Sequence, residues 1–353
     1  MHALWYTIIV IMLSIYVVLD GFDFGAGILH PFVAQTDKER RQIFNAIGPF
    51  WNGNEVWLVG SGGLLVFAFP KVYSAGFSGF YLPLMMVLWL LIVRGLSIEF
   101  RSKEDNPLWR AFWDACFFAA SLVLAIVFGA ALGNVIRGVP LLASGYFDGS
   151  LFTDFMPGRY PGVLDWYTIA VGVFAALTLA GHGALFLAYR TLDSVRERCM
   201  KAAKILWPAI LLSGVAVTYL TWLVRPQIYA SLIARPWTWT LASLIVAGAV
   251  LIFWSLRHGR ELIAFAGSVA VITGLLSATA AGMYPNMLMS TIDQAYTLTA
   301  VNSATATNAL LTGLVWWLPA FFLAVLYFTN LYRVFRGKID ALEDAYGHSD
   351  TSI

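Results

Sequence analysis

Three carboxyl groups lie where an apolar chain would be expected to exclude them. Asp20 and Asp23 occur in LDGFDFGAGILHP, and Glu55 occurs in GPFWNGNEVWLVGSGG; each is embedded in or borders a long hydrophobic run. An acid at the centre of a membrane-crossing helix costs roughly 2.5–3.5 kcal/mol on insertion scales, and less near the edge. Acids kept at that cost commonly line proton or ion paths, because a buried carboxyl group exchanges its proton more readily near neutral pH. Asp20 and Asp23 are three apart and project from one helix face. Gly27 and His30 continue the Asp23 face, and Pro31 limits how far the helix can run. Gly21 and Gly25 have the small-xxx-small spacing that lets a second helix approach closely.

Glu55 is one turn into its own segment, on the face of Trp51 and Asn52. At 1.5 Å per residue it lies about 6 Å below the start of that helix. Asp20, Asp23 and Glu55 are therefore expected to share one depth near a membrane boundary, with Asn52 beside them and Trp57 sealing the site from lipid. Arg94, in VRGLSIEFRSK, is inside an apolar run and must snorkel or find a partner. It is the candidate counter-charge, with Glu99 close by. Two readings stand at this point. One is an ion-pair and hydrogen-bond cluster that joins helices through Arg40, Arg41, Arg94, Asn52 or Asn54. The other is a polar route that also moves protons. Asp114 and Asp165 open later apolar segments and are expected to cap them, since a helix N-terminus favours negative charge.

The elements that must position these groups are transmembrane helices. The chain is 59% hydrophobic and 12% charged, with a mean hydropathy of +0.74; soluble domains carry about 25% charged residues. Crossing the hydrocarbon core takes about 20 mainly apolar residues. Nine segments qualify: 3–31, 51–70, 75–98, 109–136, 162–189, 203–223, 237–255, 261–283 and 308–332. The expected fold is an all-α polytopic membrane protein, a single integral membrane domain over 1–353. Nine spans would allow two four-helix groups, 1–136 and 162–283, plus one extra helix at 308–332. Seventeen of the 22 Lys and Arg residues fall in alternate connections and the C-terminal tail. That excess marks the cytoplasmic side, which puts the N-terminus outside and the C-terminus inside.

Other chemistries find little support. The net charge of +2 argues against nucleic acid as a partner. Cys116 and Cys199 have neither zinc-type nor CxxC spacing. Of five histidines only His30 and His182 fall in spans, weak grounds for haem ligation by this chain. The N-terminus lacks a charged n-region and a cleavage site and reads as a retained span. A proton- or cation-coupled secondary transporter is the alternative from another class. It predicts acids near the bilayer midplane at a repeat interface, whereas here they gather towards one side.

The combination DGFDFGAG, WNGNEVWL, FSGFYLPL and RGLSIEFRSK resembles subunit II of the cytochrome bd quinol oxidases. The likeness covers the nine-span layout and is densest over 17–140. It implies two four-helix bundles with a peripheral ninth helix, in a multi-pass protein of a bacterial or archaeal cytoplasmic membrane. It implies a complex that oxidises quinol and reduces oxygen to water with protons drawn from the cytoplasm. Haem b and haem d would be ligated by the partner, subunit I, and none by this chain. Small single-span subunits, a lipid or a quinone are compatible further partners. In this resemblance Asp20 and Asp23 match the acidic pair of the first span, and Trp51, Gly53, Asn54 and Trp57 match the second-span block. The position of Asn52 is commonly an Asp, a proton-path acid, and an amide cannot take that role. The expectation is that Glu55 substitutes for it, or that water bridged by Asn52 keeps the route conductive. Trp57 corresponds to positions that border an oxygen route or simply pack.

Overall fold

The computed structural model describes residues 1–339; the end of the expected single domain, 340–353, lies outside the described residues. Twelve helices follow in order: α1 His2–Val33, α2 Asp37–Ile47, α3 Trp51–Ala68, α4 Pro70–Gly79, α5 Tyr81–Phe100, α6 Pro107–Arg137, α7 Trp166–Arg190, α8 Asp193–Val224, α9 Pro226–Ile233, α10 Trp239–His258, α11 Glu261–Met283 and α12 Thr307–Val334. Eight helices among the described residues are long and apolar enough to cross a membrane. α3 falls outside that set although it has 18 residues. Its first turn holds Asn52, Asn54 and Glu55, which dilute its hydropathy.

Several boundaries depart from the sequence reading. The segment at 75–98 is broken at Phe80 into α4 and α5. At the break a side chain at Gly79 would strike the Phe147 ring, so the 138–165 connection folds back onto this corner. α2, read as a loop, is an 11-residue helix closed by a capping box. Its Thr36 side chain accepts from the Glu39 N–H, and Glu39 returns a bond to the Thr36 N–H. α6 begins at Pro107 with Asn106 as its cap, so Asp114 is two turns inside the helix and does not cap it. Asp165 does cap α7 and pairs with Arg137 at the end of α6.

α1 packs against α3, α6, α7 and α11; α5 packs on α6, α7 on α6 and α8, and α10 on α11. The α1–α7 crossing depends on glycine. A Cβ at Gly25 would strike the Leu179 carbonyl and lie 2.7 Å from Gly183 Cα, while one at Gly183 would lie 2.5 Å from Gly25 Cα. Here the backbones touch, the close approach that small residues permit in membranes. The apolar interior has two main clusters. One gathers Phe22, Phe44, Phe50, Phe117, Phe186 and Trp207; the other gathers Trp5, Tyr16, Phe24, Trp57, Phe69 and Phe147. α12 touches this core through side chains, with Phe328 and Leu331 over Gly53 and Trp317 edge-on to Trp5. The connections 138–165 and 284–306 are tied together by Val139 N to Met289 O and Thr291 N to Val139 O, both 2.9 Å. Within the second connection β1 (Asn286–Leu288) pairs antiparallel with β2 (Leu298–Thr299).

Candidate functional site

The Arg94 side chain lies in the angle between α1, α3 and α5. Its Nη1 donates to Asp20 Oδ1 at 2.7 Å and its Nη2 to Asp20 Oδ2 at 3.0 Å, a two-pronged pair. Nη2 also donates to Glu55 Oε1 at 2.5 Å. The guanidinium sits 4.3 Å from the centroid of the Phe24 ring. Arg94 and Asp20 are fully enclosed, whereas the Glu55 side chain is 25% exposed. The forked geometry of arginine matches a carboxylate. A pair this deeply buried is tolerated only because every charge has a partner.

Asp23, one turn on from Asp20, faces α3. Its Oδ2 accepts from Asn54 Nδ2 at 2.8 Å, and the same amide donates to Leu19 O at 3.1 Å. Asn54 Oδ1 in turn accepts from the Tyr332 hydroxyl of α12 at 3.4 Å, and Tyr332 stacks on Phe50 at 4.5 Å. Asp23 Oδ1 is buried and makes no hydrogen bond. Two carboxyl groups thus meet one guanidinium, and the third, Asp23, lies one turn along α1 and bonds Asn54 instead.

The expected site residues divide. Asp20, Asp23, Glu55 and Arg94 come together. Asn52 is exposed on the outer side of α3, and Glu99 is exposed near the end of α5; neither reaches the cluster. The amide that does reach it is Asn54. Trp57 is buried, its ring 5.3 Å from Phe328 and 6.0 Å from Phe321 of α12. Its surroundings are those of a packing residue.

A second ionic cluster lies at the α2 end, centred on Asp114 of α6. Asp114 Oδ1 accepts from Arg101 Nε at 2.5 Å and Oδ2 from Arg40 Nη1 at 2.7 Å; His30 Nε2 is 3.3 Å from Oδ1. Asp37 receives Arg101 at 2.8 Å and Arg41 at 3.0 Å. Burial pushes the Asp37 carboxyl up, but Arg101, Arg110 and Arg41 outweigh it and hold the group below its ordinary value. Glu39 is likewise held low: burial opposes the shift, and the Gln35 and Thr36 N–H groups with Arg198 prevail. These bonds fasten α2 and the 101–106 turn to α1 and α6.

The family model for cytochrome bd terminal oxidase subunit II matches residues 1–335. The chain belongs to that family. A probable cytochrome oxidase subunit 2 of Haemophilus influenzae is 30% identical, covering 97% of this chain and 96% of its own length. The cytochrome bd ubiquinol oxidase subunit 2 of Bacillus subtilis is 30% identical over 88% of each chain. In fold the chain is similar to the structure of bd oxidase from Geobacillus thermodenitrificans, with a TM-score of 0.74, 20% identity, and 95% of this chain and 98% of that chain covered. The chain is therefore a multi-pass membrane protein and part of an oxidoreductase complex, and that assignment replaces the transporter alternative.

A cytochrome complex implies haem, and the two histidines in the long helices of this chain are held by protein contacts. His182 uses both ring nitrogens, Nδ1 with Ser268 Oγ at 2.7 Å and Nε2 with Val18 O at 2.9 Å. The His30 ring is wedged edge-on between Phe44 and Phe117. Among the described residues no group of three or more His, Cys, Asp or Glu is gathered to hold a metal ion.

Proposed function

We propose that this chain is the non-ligating subunit of a quinol:oxygen oxidoreductase in the cytoplasmic membrane of a bacterium or archaeon. Its partner, subunit I, carries haem b and haem d and oxidises the quinol; oxygen is reduced to water with protons taken from the cytoplasm. The chain crosses the membrane nine times, N-terminus outside, with α3 as the span that hydropathy alone undervalues. α1, α3, α5 and α6 form one four-helix group, α7, α8, α10 and α11 the other, and α12 is the peripheral helix. Within these groups α1 packs on α3 and α6, α5 on α6, α7 on α8 and α11, and α10 on α11; the two groups meet along α1–α7 and α6–α7. The excess of Lys and Arg around α2 and the 101–110 turn supports the orientation.

In this reading the acid cluster conducts protons towards the partner, with unequal roles. Asp20, enclosed and held by both prongs of Arg94, is a fixed counter-ion. Glu55 is the exchangeable acid: it shares the same guanidinium while a quarter of its side chain reaches the outside. Asp23 is the inner acceptor, with one oxygen fixed by Asn54 and one free to take a proton. One guanidinium cannot neutralise all three carboxylates, and leaving a buried charge such as Asp23 without its own counter-ion is costly; a proton is the ligand that removes the cost. Asn52, exposed on the outer side of α3, takes no part in the cluster.

The observation that carries the proposal is two carboxyl groups on one buried arginine with a third, Asp23, one turn away on Asn54, within a chain matched to the family along residues 1–335. The test is made on the purified complex. It is expected to show b- and d-type optical bands and quinol-dependent oxygen uptake. Glu55→Gln is expected to slow uptake with those bands unchanged. Full turnover in E55Q would refute the role given to Glu55, and a complex without d-type bands or quinol-dependent uptake would refute the enzyme.

A further inference from the structure

A longer polar stripe on α1 links the two ionic clusters. At 100° per residue, Tyr16, Asp20, Asp23, Gly27 and His30 fall within an arc of about 80°. They climb the helix in steps of three or four residues, about 4.5–6 Å each. The stripe is buried throughout, yet its polar atoms are conspicuously unmatched. Among the described residues, fourteen buried side-chain N and O atoms lack a hydrogen bond. Six of them are here: Tyr16 Oη, Asp23 Oδ1, both His30 ring nitrogens (Nε2 lies 3.3 Å from Asp114 Oδ1 without the alignment of a hydrogen bond), Arg94 Nε and Ser121 Oγ. Scattered accidents of packing would not concentrate on one line, and buried polar groups otherwise find protein or ordered-water partners.

The middle of the stripe is built for small polar contact. Gly27 has no side chain because a Cβ there would strike Ser121 Oγ and lie 2.6 Å from Ser121 Cβ. Pro31 has no N–H to return to the Gly27 carbonyl, so that acceptor also lacks its helical partner. Ser121 of α6 thus meets α1 at the level of Gly27, between His30 and Asp23. Near the outer end lies a cleft of about 270 Å³ lined by Gln35, Asp37, Arg40, Arg101, Pro107 and Arg110. Arg40 and Arg101 are the residues that hold Asp114 against His30.

We propose that this stripe is a second proton inlet, distinct from Glu55, that runs from the cleft at the α2 end through Asp114 and His30, past Ser121 and the Gly27 carbonyl, to Asp23. It rests on the proton-conducting reading of the acid cluster. Bridging water fits the spacing: two hydrogen bonds of about 2.8 Å span about 5.6 Å, close to one step of the stripe. The His30 imidazole accepts a proton on the nitrogen beside Asp114 and releases the one on its other nitrogen inward; exchange of tautomers then resets the ring. No bond other than N–H and O–H forms or breaks. The groups facing His30 are Asp114 with Arg101 and Arg40, and the Phe44 and Phe117 rings. The aromatic walls keep the proton on the polar line.

The test uses the purified complex in single-turnover oxygen reduction, following proton uptake with a pH dye. Ser121→Val fills the space beside Gly27 without a hydroxyl, and His30→Gln keeps polarity but cannot exchange protons as imidazole does. Each is expected to slow the proton-uptake phase about tenfold, a barrier of about 1.4 kcal/mol, and to enlarge the slowing in D2O. Haem bands and quinol KM are expected to stay unchanged. Ser121→Gly, which leaves room for water, is expected to retain wild-type uptake. If H30Q and S121V take up protons at the wild-type rate while E55Q is slow, the second inlet is refuted and the acid-cluster reading stands. If all three variants match wild type, both are refuted. Should S121V fail to assemble with haem, H30Q alone decides.

Discussion

Replacing Arg94 with methionine removes the cation that neutralises Asp20 and Glu55. Asp20 has both oxygens on that guanidinium and no exposure, so the loss falls on it in full. Breaking a buried pair by deleting one partner costs about 3–5 kcal/mol, a factor of about 10² to 10⁴ in the unfolding equilibrium. Glu55 adds little to this sum, because partial exposure screens its share. The second substitution Asp20→Asn exchanges an unpaired ion for an unpaired amide, which costs about 1–3 kcal/mol. D20N/R94M is therefore expected to be more stable than R94M by about 2 kcal/mol, although it carries one more change. The assay is unfolding of the purified complex in mixed detergent micelles, followed by tryptophan fluorescence, for wild type, both single variants and the double. A loss under about 1 kcal/mol in R94M, or a double variant no more stable than R94M, would refute the reasoning that Asp20 is an ion fixed by Arg94.

At the α1–α7 crossing, Gly25→Leu sets a side chain against the Leu179 carbonyl and Gly183; the yield of haem-containing complex is expected to fall sharply, and Gly25→Ala to cost about 1–3 kcal/mol as overpacking does. The acid response of α2 follows from Asp37 and Glu39, whose folded values lie below their ordinary ones. Such groups stabilise the fold above their unfolded values near 4 and lose that contribution as pH falls through the lower folded values. Amide hydrogen exchange in α2, compared between pH 6 and pH 3, is expected to speed up relative to the core helices beyond the intrinsic pH effect, and no such loosening is expected between pH 6 and pH 8. Equal acid sensitivity in D37N/E39Q would contradict this assignment.

Much of the fold was readable because long apolar runs have few other uses. The long helices lie where hydropathy placed them, to within a few residues at most ends. The break at Phe80 was not readable, since it arises when Phe147 from a distant connection lands on Gly79. α2 was readable in principle from the Thr36-x-x-Glu39 capping box, but its polarity made it look like a loop. Asn106-Pro107 likewise signalled the true start of α6, and missing it moved Asp114 from the helix interior to a cap. At the candidate site the sequence supplied the acids and Arg94 as their counter-charge, because an arginine in an apolar run must be paired. It did not distinguish Asn52 from Asn54. These residues point about 200° apart on a helix, and which one faces inward depends on how α3 rotates against α1. Tyr332 and Ser121 reach the polar groups of α1 from helices far away in sequence, and no local pattern announces such contacts.

Reconstituting the complex in vesicles tests the central claim most directly, with a pH dye confined to the side of α2 and oxygen supplied in a single turnover. Wild type is expected to take up protons from that side in step with haem oxidation, and E55Q to oxidise its haems at first normally but take up protons with a marked lag. Identical uptake in the two proteins, or uptake from the opposite side, would contradict the claim that the acids around Arg94 feed protons to the reduction of oxygen.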